Sequence, residues 1–364
     1  MPATMSATAH PPPVAKPGTG GAPFDTGPLA RLLLARGLID YPVLTVDRLA
    51  GGQSNPTYRI ACGPRQYVLR TKPPGQLLSS AHAVDREYRV MQALQDSEVP
   101  VPRTYLYSED TSIVGSPFYV MEFLQGRVLV DQSLPGIPQA QRTAMYREMN
   151  RVIGALHRVD FSAVGLDDYG KHGGYIARQV RRWATQCREA GMDDNPALAA
   201  LVDWLPAHVP DGDSTCIVHG DFRLDNLVFH PTEARVIGVL DWELSTLGDP
   251  MADLAYHCMS WHIPAHLWRG IGGLDLQALG IPDEATYLQW YGSTNGTRSM
   301  EHWDFYLAYN LFRLAAIMHG IAQRAKQGNA SSQDAVETGR KAIPLAELGW
   351  KYAQRYAQRQ RQTD

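Results

Sequence analysis

Val218-His219-Gly220-Asp221-Phe222-Arg223-Leu224-Asp225-Asn226, followed by Leu240-Asp241-Trp242-Glu243, is the stretch on which the reading of this chain turns. A carboxylate, an amide five residues on and a second carboxylate beyond a hairpin suit phosphoryl transfer. The residues between them supply the hairpin: Leu227–Phe229, a turn at His230-Pro231-Thr232-Glu233, then Arg235–Leu240. That return predicts Asp241 beside Asn226. One acid can then orient an acceptor hydroxyl, while the amide and the other acid hold Mg²⁺ on nucleotide phosphates. Alone, an H-G-D or a D-W-E carries little, and an Asp beside an Asn is usually a turn. Both in order, at hairpin spacing, carry the reading.

Outward from this stretch the chain divides by pattern. Residues 1–26 hold six prolines and three glycines with no apolar run, which predicts a disordered tail without a secretory signal. Residues 27–125 alternate short strands with one helix: strands at Leu44–Leu49, Tyr58–Cys62, Gln66–Thr71 and Pro117–Phe123, and a helix over Ala83–Asp96. Residues 126–364 are mostly helical, with helices at Gln139–Arg158, Ile176–Ala190, Asn195–Ala207 and Trp303–Lys326, interrupted by the β-like Cys216–Trp242. The expected class is α+β, with a small β-rich lobe before a large, mainly helical one.

Composition bounds the partners. Lys plus Arg is 34 against 37 Asp plus Glu, a net charge of −3 that gives no general attraction to nucleic acid or an anionic membrane surface. No apolar run reaches the roughly 18 residues of a membrane span. Cys62, Cys187, Cys216 and Cys258 lie far apart with no metal-ligand spacing, so reduced thiols in a cytoplasmic protein are expected rather than disulfides or zinc.

The sequence resembles the aminoglycoside phosphotransferase and choline kinase-like group, which shares a bilobal fold with protein kinases, over about residues 30–350. The resemblance implies that Asp221 is the catalytic base, that Asn226 and Asp241 are metal ligands and that His219 braces the catalytic loop. Arg223 stands where such enzymes place a basic residue against the γ-phosphate. Protein kinases pair a Lys at the end of the third strand with a Glu on the following helix. Here Arg70 follows Tyr67-Val68-Leu69 and Lys72 lies two residues on, the same strand face, so either could hold phosphate, and Glu87 is the matching acid. The loop Gly51-Gly52-Gln53-Ser54-Asn55 is not a G-x-G-x-x-G. Gly52, Gln53, Ser54 and Asn55 nevertheless sit where backbone N–H groups would cover phosphates. Glu122 and Phe123 resemble the hinge that contacts a purine. Asp249 and Asp253, in Gly248-Asp249-Pro250-Met251-Ala252-Asp253-Leu254, correspond to residues that brace the loop, with helix capping and surface charge as their plain alternatives.

Gly165–Tyr169, Gly173-Gly174-Tyr175, Arg178-Gln179-Val180, Trp183, Arg70–Gly75 and Ser79–Tyr88 resemble one branch of that group, the branch fused to or encoded beside acyl-CoA dehydrogenases. No flavin is expected, because the kinase-like part accounts for nearly all of the chain. Gly165–His172 nearly matches a P-loop but fails at His172 and lacks a preceding strand, so a turn is expected. Six residues separate Asp241 from Gly248, too few for a peptide-binding activation segment, which favours a small-molecule acceptor. The expectation is a Mg²⁺- and ATP- or GTP-dependent phosphotransferase acting on a hydroxyacyl-CoA or hydroxy acid. The alternatives are an aminoglycoside kinase and a nucleotide-binding module without catalysis. A functional association with an acyl-CoA dehydrogenase is a further expectation.

Overall fold

β-Branched and aromatic residues in the first third of the chain set up an antiparallel sheet against which helices pack. The computed structural model describes residues 23–49, 55–73, 83–192, 194–212, 214–296, 300–326 and 333–363. The chain divides into two compact units, the first holding residues up to Leu129 together with Asp225–Leu244, the second holding Val130–Leu224 and the residues from Ser245. The first crossing between the units falls after Leu129, and the hairpin beyond Asp225 belongs with the first unit.

In chain order the first unit contributes α1 (Thr26–Ala35), β1 (Thr45–Arg48), β2 (Thr57–Cys62), β3 (Arg65–Thr71), α2 (Val84–Leu94), β4 (Thr104–Ser108), α3 (Thr111–Val114), β5 (Phe118–Glu122) and β6 (Arg127–Val128). The second then supplies α4 (Gln139–Arg158), α5 (Tyr175–Ala190), α6 (Pro196–Trp204) and β7 (Cys216–Val218). The chain returns to the first for β8 (Leu227–Phe229) and β9 (Val236–Val239). It ends in the second with β10 (Thr246–Gly248), α7 (Pro250–Cys258), α8 (Leu276–Leu279), α9 (Glu284–Asn295), α10 (Trp303–Lys326), α11 (Gln333–Arg340) and α12 (Ala342–Thr363).

The five-stranded sheet of the first unit runs β1-β2-β3-β5-β4, all antiparallel. The strands and helix expected from alternation are present, and β4, α1 and α3 are added. Leu29, Ala30 and Leu33 of α1 pack with Ile60, Leu69, Phe118 and Val120 of the sheet. Asp25 caps α1, accepting from the N–H of Gly27 at 2.9 Å, so this helix begins at the last residue of the expected tail. Residues 1–22 lie outside the described residues.

β6, β8 and β9 form a second small sheet in the same unit. The hairpin read from the sequence is present: Leu227 faces Val239, and the N–H of His230 donates to the Arg235 carbonyl at 2.8 Å. Gly126 lies against it so closely that a Cβ there would stand 2.4 Å from the Phe229 carbonyl oxygen, which leaves room only for hydrogen.

The second unit is helical around α7 and α10. Asp249 caps α7 by accepting from the N–H groups of Met251 and Ala252, with Pro250 as first helical residue, and every residue of α7 is buried. β7 and β10 pair antiparallel, Cys216 opposite Gly248, and carry the chain into and out of the stretch quoted first. All four cysteines are buried and free.

His257 of α7 is packed among Phe222, Trp261 and Tyr287, at ring separations of 5.5, 5.8 and 5.3 Å. Burial lowers its pKa to about 4, so the folded protein holds it neutral. An unfolded chain takes up this proton near pH 6.5, and the folded one only near 4, so stability falls as pH drops between those values. The group should cost about 3 kcal/mol across that window, and His257→Phe should flatten the pH dependence of urea unfolding by about that amount.

Candidate active site

Each unit contains a cluster built around one charge. In the first unit the charge is Arg70, near the end of β3, and it is buried. Its Nε lies 2.9 Å from Oε2 of Glu87 on α2, and its Nη2 lies 2.7 Å from Oδ1 of Asp241 and 3.8 Å from Oε2 of Glu243. Glu87 is itself 1% exposed, and its other contacts are donors: the Asn55 amide to Oε1 at 2.7 Å and the Tyr119 hydroxyl to Oε2 at 2.9 Å. Burial disfavours the charge on Arg70, but Glu87, Tyr119, Asp241 and Glu243 outweigh it and hold the guanidinium protonated. Burial lifts the Glu87 carboxyl, to about 7, against the opposing pull of Arg70 and the Tyr119 hydroxyl.

The hairpin of β8 and β9 delivers Asp241. The N–H of Leu240 donates to the Asn226 carbonyl at 2.8 Å, so the two candidate metal ligands sit at the open end of the same ladder. Asp241 has φ of 65°, left-handed backbone uncommon outside glycine, and its carboxylate is tied to Arg70. Asn226 is buried.

In the second unit the charge is Asp253 of α7. Its Oδ2 and Oδ1 accept the backbone N–H groups of His219 and Gly220, each at 2.8 Å, and His157 lies 3.2 Å from Oδ2. Burial pushes this carboxyl up, but the His157 ring and the loop N–H groups outweigh burial and hold it below the usual carboxylate range. The loop is fixed further by His219, whose Nδ1 accepts the N–H of Asp221 at 3.1 Å. Asp221 then presents a half-buried carboxylate: Oδ1 accepts from the Tyr256 hydroxyl and Oδ2 from Nε of Arg223 at 3.1 Å. Arg313 of α10 donates to the Gly220 carbonyl at 2.8 Å.

A carboxylate on a rigid loop in one unit, and a buried cation paired to a helix acid and to a hairpin acid in the other, are the parts a phosphoryl-transfer enzyme requires. The family model described as the phosphotransferase enzyme family matches residues 45–303. The chain belongs to that family.

Curated relatives of the chain include acyl-CoA dehydrogenase family member 10 of Mus musculus, 48% identical over 304 residues that make up 83% of this chain and 28% of the relative. They also include the probable acyl-CoA dehydrogenase IBR3 of Arabidopsis thaliana, 42% identical over 85% of this chain and 40% of that protein. The chain therefore spans well under half the length of these curated relatives. Among solved structures, a Ralstonia eutropha protein described as a candidate aminoglycoside phosphotransferase matches with a TM-score of 0.84 and 51% identity, covering 91% of this chain and 99% of that one. A choline kinase from Cryptosporidium parvum matches with a TM-score of 0.61 at 11% identity over 92% of this chain and 96% of its own, a likeness of fold. The chain thus has the protein kinase-like fold, an N-terminal antiparallel sheet followed by a mostly helical part.

Of the residues singled out in the sequence, Arg70, Glu87, Asn226 and Asp241 fall in the first unit, and His219, Asp221 and Arg223 in the second. Lys72 lies just beyond β3, half-buried, and its N–H donates to the Pro117 carbonyl. Asn55 turns its side chain to Glu87. Gly52, Gln53 and Ser54 lie outside the described residues. The Glu122 carboxylate accepts the N–H of Arg103, and the Phe123 ring lies 6.0 Å from the Arg59 guanidinium. Gly165–His172 forms turns, with Asp167 bonded to Ser162 and His172.

Sequence reasoning missed Tyr119, Tyr256 as a partner of Asp221, and Arg313. Tyr119 stands directly across the ladder from Arg70. Arg313 is the lone charge in the run Tyr309–Met318, and a cation in so apolar a stretch signals a buried partner.

Glu87→Ala removes the carboxylate shared by Arg70, Asn55 and Tyr119 and leaves the buried guanidinium to Asp241 and Glu243, with its Nε side uncompensated. The expected loss is about 3 kcal/mol or more in urea unfolding, with a smaller loss for Glu87→Gln.

Proposed function

We propose that this phosphotransferase moves the γ-phosphoryl group of ATP or GTP to a hydroxyl of a small molecule. The observation that carries the reading is the Arg70 cluster: a strand cation paired to the acid of the following helix and to the acid that closes the hairpin. In the protein kinase-like plan a strand cation and helix acid steady the nucleotide phosphates, and the hairpin acid holds metal. A fold neighbour was solved with AMP-PNP and hygromycin B, which supports nucleotide as donor.

Asp221 would accept the hydrogen bond of the acceptor alcohol and take its proton as the new O–P bond forms and the bond from the γ-phosphorus to the bridging oxygen breaks. Arg223 would neutralise charge on the transferring group. Asn226 and Asp241 would hold Mg²⁺, and their oxygen donors fit a cation that uses one or two carboxylates and leaves other positions to phosphate. When bound, the ion would offset charge on the phosphate oxygens. Glu122 and Phe123 would carry the purine at the backbone.

An anionic alcohol, such as a hydroxyacyl-CoA or hydroxy acid, is the preferred acceptor. An open hollow of about 430 Å³ on α5 is lined by Arg178, Arg181, Arg182, Thr185 and Gln186, one helical face that carries three cations and no acid. Such a face suits phosphate or carboxylate and disfavours a cationic aminoglycoside. The relatives' names suggest that the product is handled beside an acyl-CoA dehydrogenase.

Labelled nucleotide and a panel of hydroxyacyl-CoAs, hydroxy acids and aminoglycosides should give transfer to a member of the first two classes. Asp221→Ala is expected to reduce transfer by about 10²–10⁴ while the Mg²⁺-dependent thermal shift with nucleotide remains. Full turnover in that variant would remove Asp221 from the mechanism. Nucleotide binding without transfer to any acceptor would favour a binding module.

A further inference from the structure

α7 offers the catalytic loop two groups three residues apart. Asp253 takes the backbone N–H groups of His219 and Gly220, and Tyr256 donates its hydroxyl to the Asp221 side chain. Residues at this spacing share one helix face, so the helix that fixes the loop backbone also fixes its carboxylate. Arg313 completes the arrangement from α10. Its guanidinium carbon lies 5.1 Å from the centre of the Tyr256 ring, and its Nη2 holds the Gly220 carbonyl at 2.8 Å. Tyr256 is 6% exposed and Arg313 7%, so neither can swing away into water.

We infer that Tyr256 is a positioning residue for Asp221, with Arg313 as its support; this rests on the phosphotransferase reading above. A carboxylate plane turns easily about its last side-chain bond, since that torsion has broad minima. Arg223 donates to Oδ2 through Nε at 3.1 Å, which addresses one of the two oxygens. The Tyr256 hydroxyl on Oδ1 removes that freedom and aligns the lone pairs for an incoming hydroxyl. Burial, and then the charge of Asp221, raise the phenol well above its ordinary pKa, so it stays a donor throughout the working range. The contribution appears in the rate rather than in nucleotide affinity, because Tyr256 touches the proton acceptor.

Phosphate release from MgATP, with water as the acceptor, tests this without an identified alcohol. Tyr256→Phe keeps the ring on Arg313 and removes one oxygen. It is expected to lower kcat about tenfold, the value of one hydrogen bond to a charged group, with KM for ATP within about twofold and an unchanged melting temperature. In an Asp221→Asn background, whose residual rate labelled ATP makes measurable, the same change should cost nothing further, because the amide cannot take the proton that the aligned carboxylate would. Parental kcat in Tyr256→Phe overturns the inference, and so does an equal loss in both backgrounds, which marks a merely structural role. Asp221→Asn at the parental rate is a different result: it overturns the phosphotransferase reading and this inference with it.

Discussion

A guanidinium taken out of water requires carboxylates around it, and the first unit is organised by that requirement at Arg70. Stranding such a charge costs several kcal/mol, which few other single contacts could offset. The residues that prevent this come from separate elements: Glu87 from α2, Asp241 and Glu243 from beyond β9, and Tyr119 and Asn55 as donors that complete Glu87. The position of α2 on the sheet, the closure of the hairpin and the left-handed backbone at Asp241 are therefore linked. The pieces that carry the proposed nucleotide chemistry are also the pieces that hold the unit's polar interior together.

The second unit solves the same problem with the sign reversed. Asp253 is a buried anion, and the groups that satisfy it are mostly backbone N–H groups of the loop that carries Asp221. Backbone donors make a stiffer anchor than side chains, since they bring no rotamers of their own. His157 belongs to this arrangement from below, joined in turn to Tyr291 at 2.9 Å. A chain of buried polar groups thus runs from α9 through α4 and α7 to the loop, each link satisfied by the next.

Much of this was legible in the sequence, for local reasons. Alternation marks β2, β3 and β5, the Asp-Pro pair marks the start of α7, and the turn at His230 marks the hairpin. β4 escaped because Thr104–Ser108 is a half-buried edge strand with a weak alternating signal. α1 escaped because it directly follows a proline- and glycine-rich stretch. At the candidate site, Asp221, Asn226 and Asp241 could be named from spacing, while the choice between Arg70 and Lys72 could not, because both share a strand face. The fold encloses Arg70 and leaves Lys72 half-buried, and burial is a tertiary property. Tyr119, Tyr256 and Arg313 act across ladders and helix packings, and no window along the chain contains both partners.

The crossing of the chain between its units has a consequence for synthesis. β6 is complete at Val128, but its ladder partner β8 begins at Leu227, after residues 130–224 of the second unit. Ordinary elongation speeds put roughly 5–20 s between the two. Through that interval Arg70 and Glu87 exist without Asp241. The first unit cannot complete itself in order, as an N-terminal domain usually does, and residues 130–224 of the second must emerge before the first is finished. A fragment cut at residue 129 would reproduce that nascent state, with β6 lacking its ladder partner and Arg70 lacking Asp241.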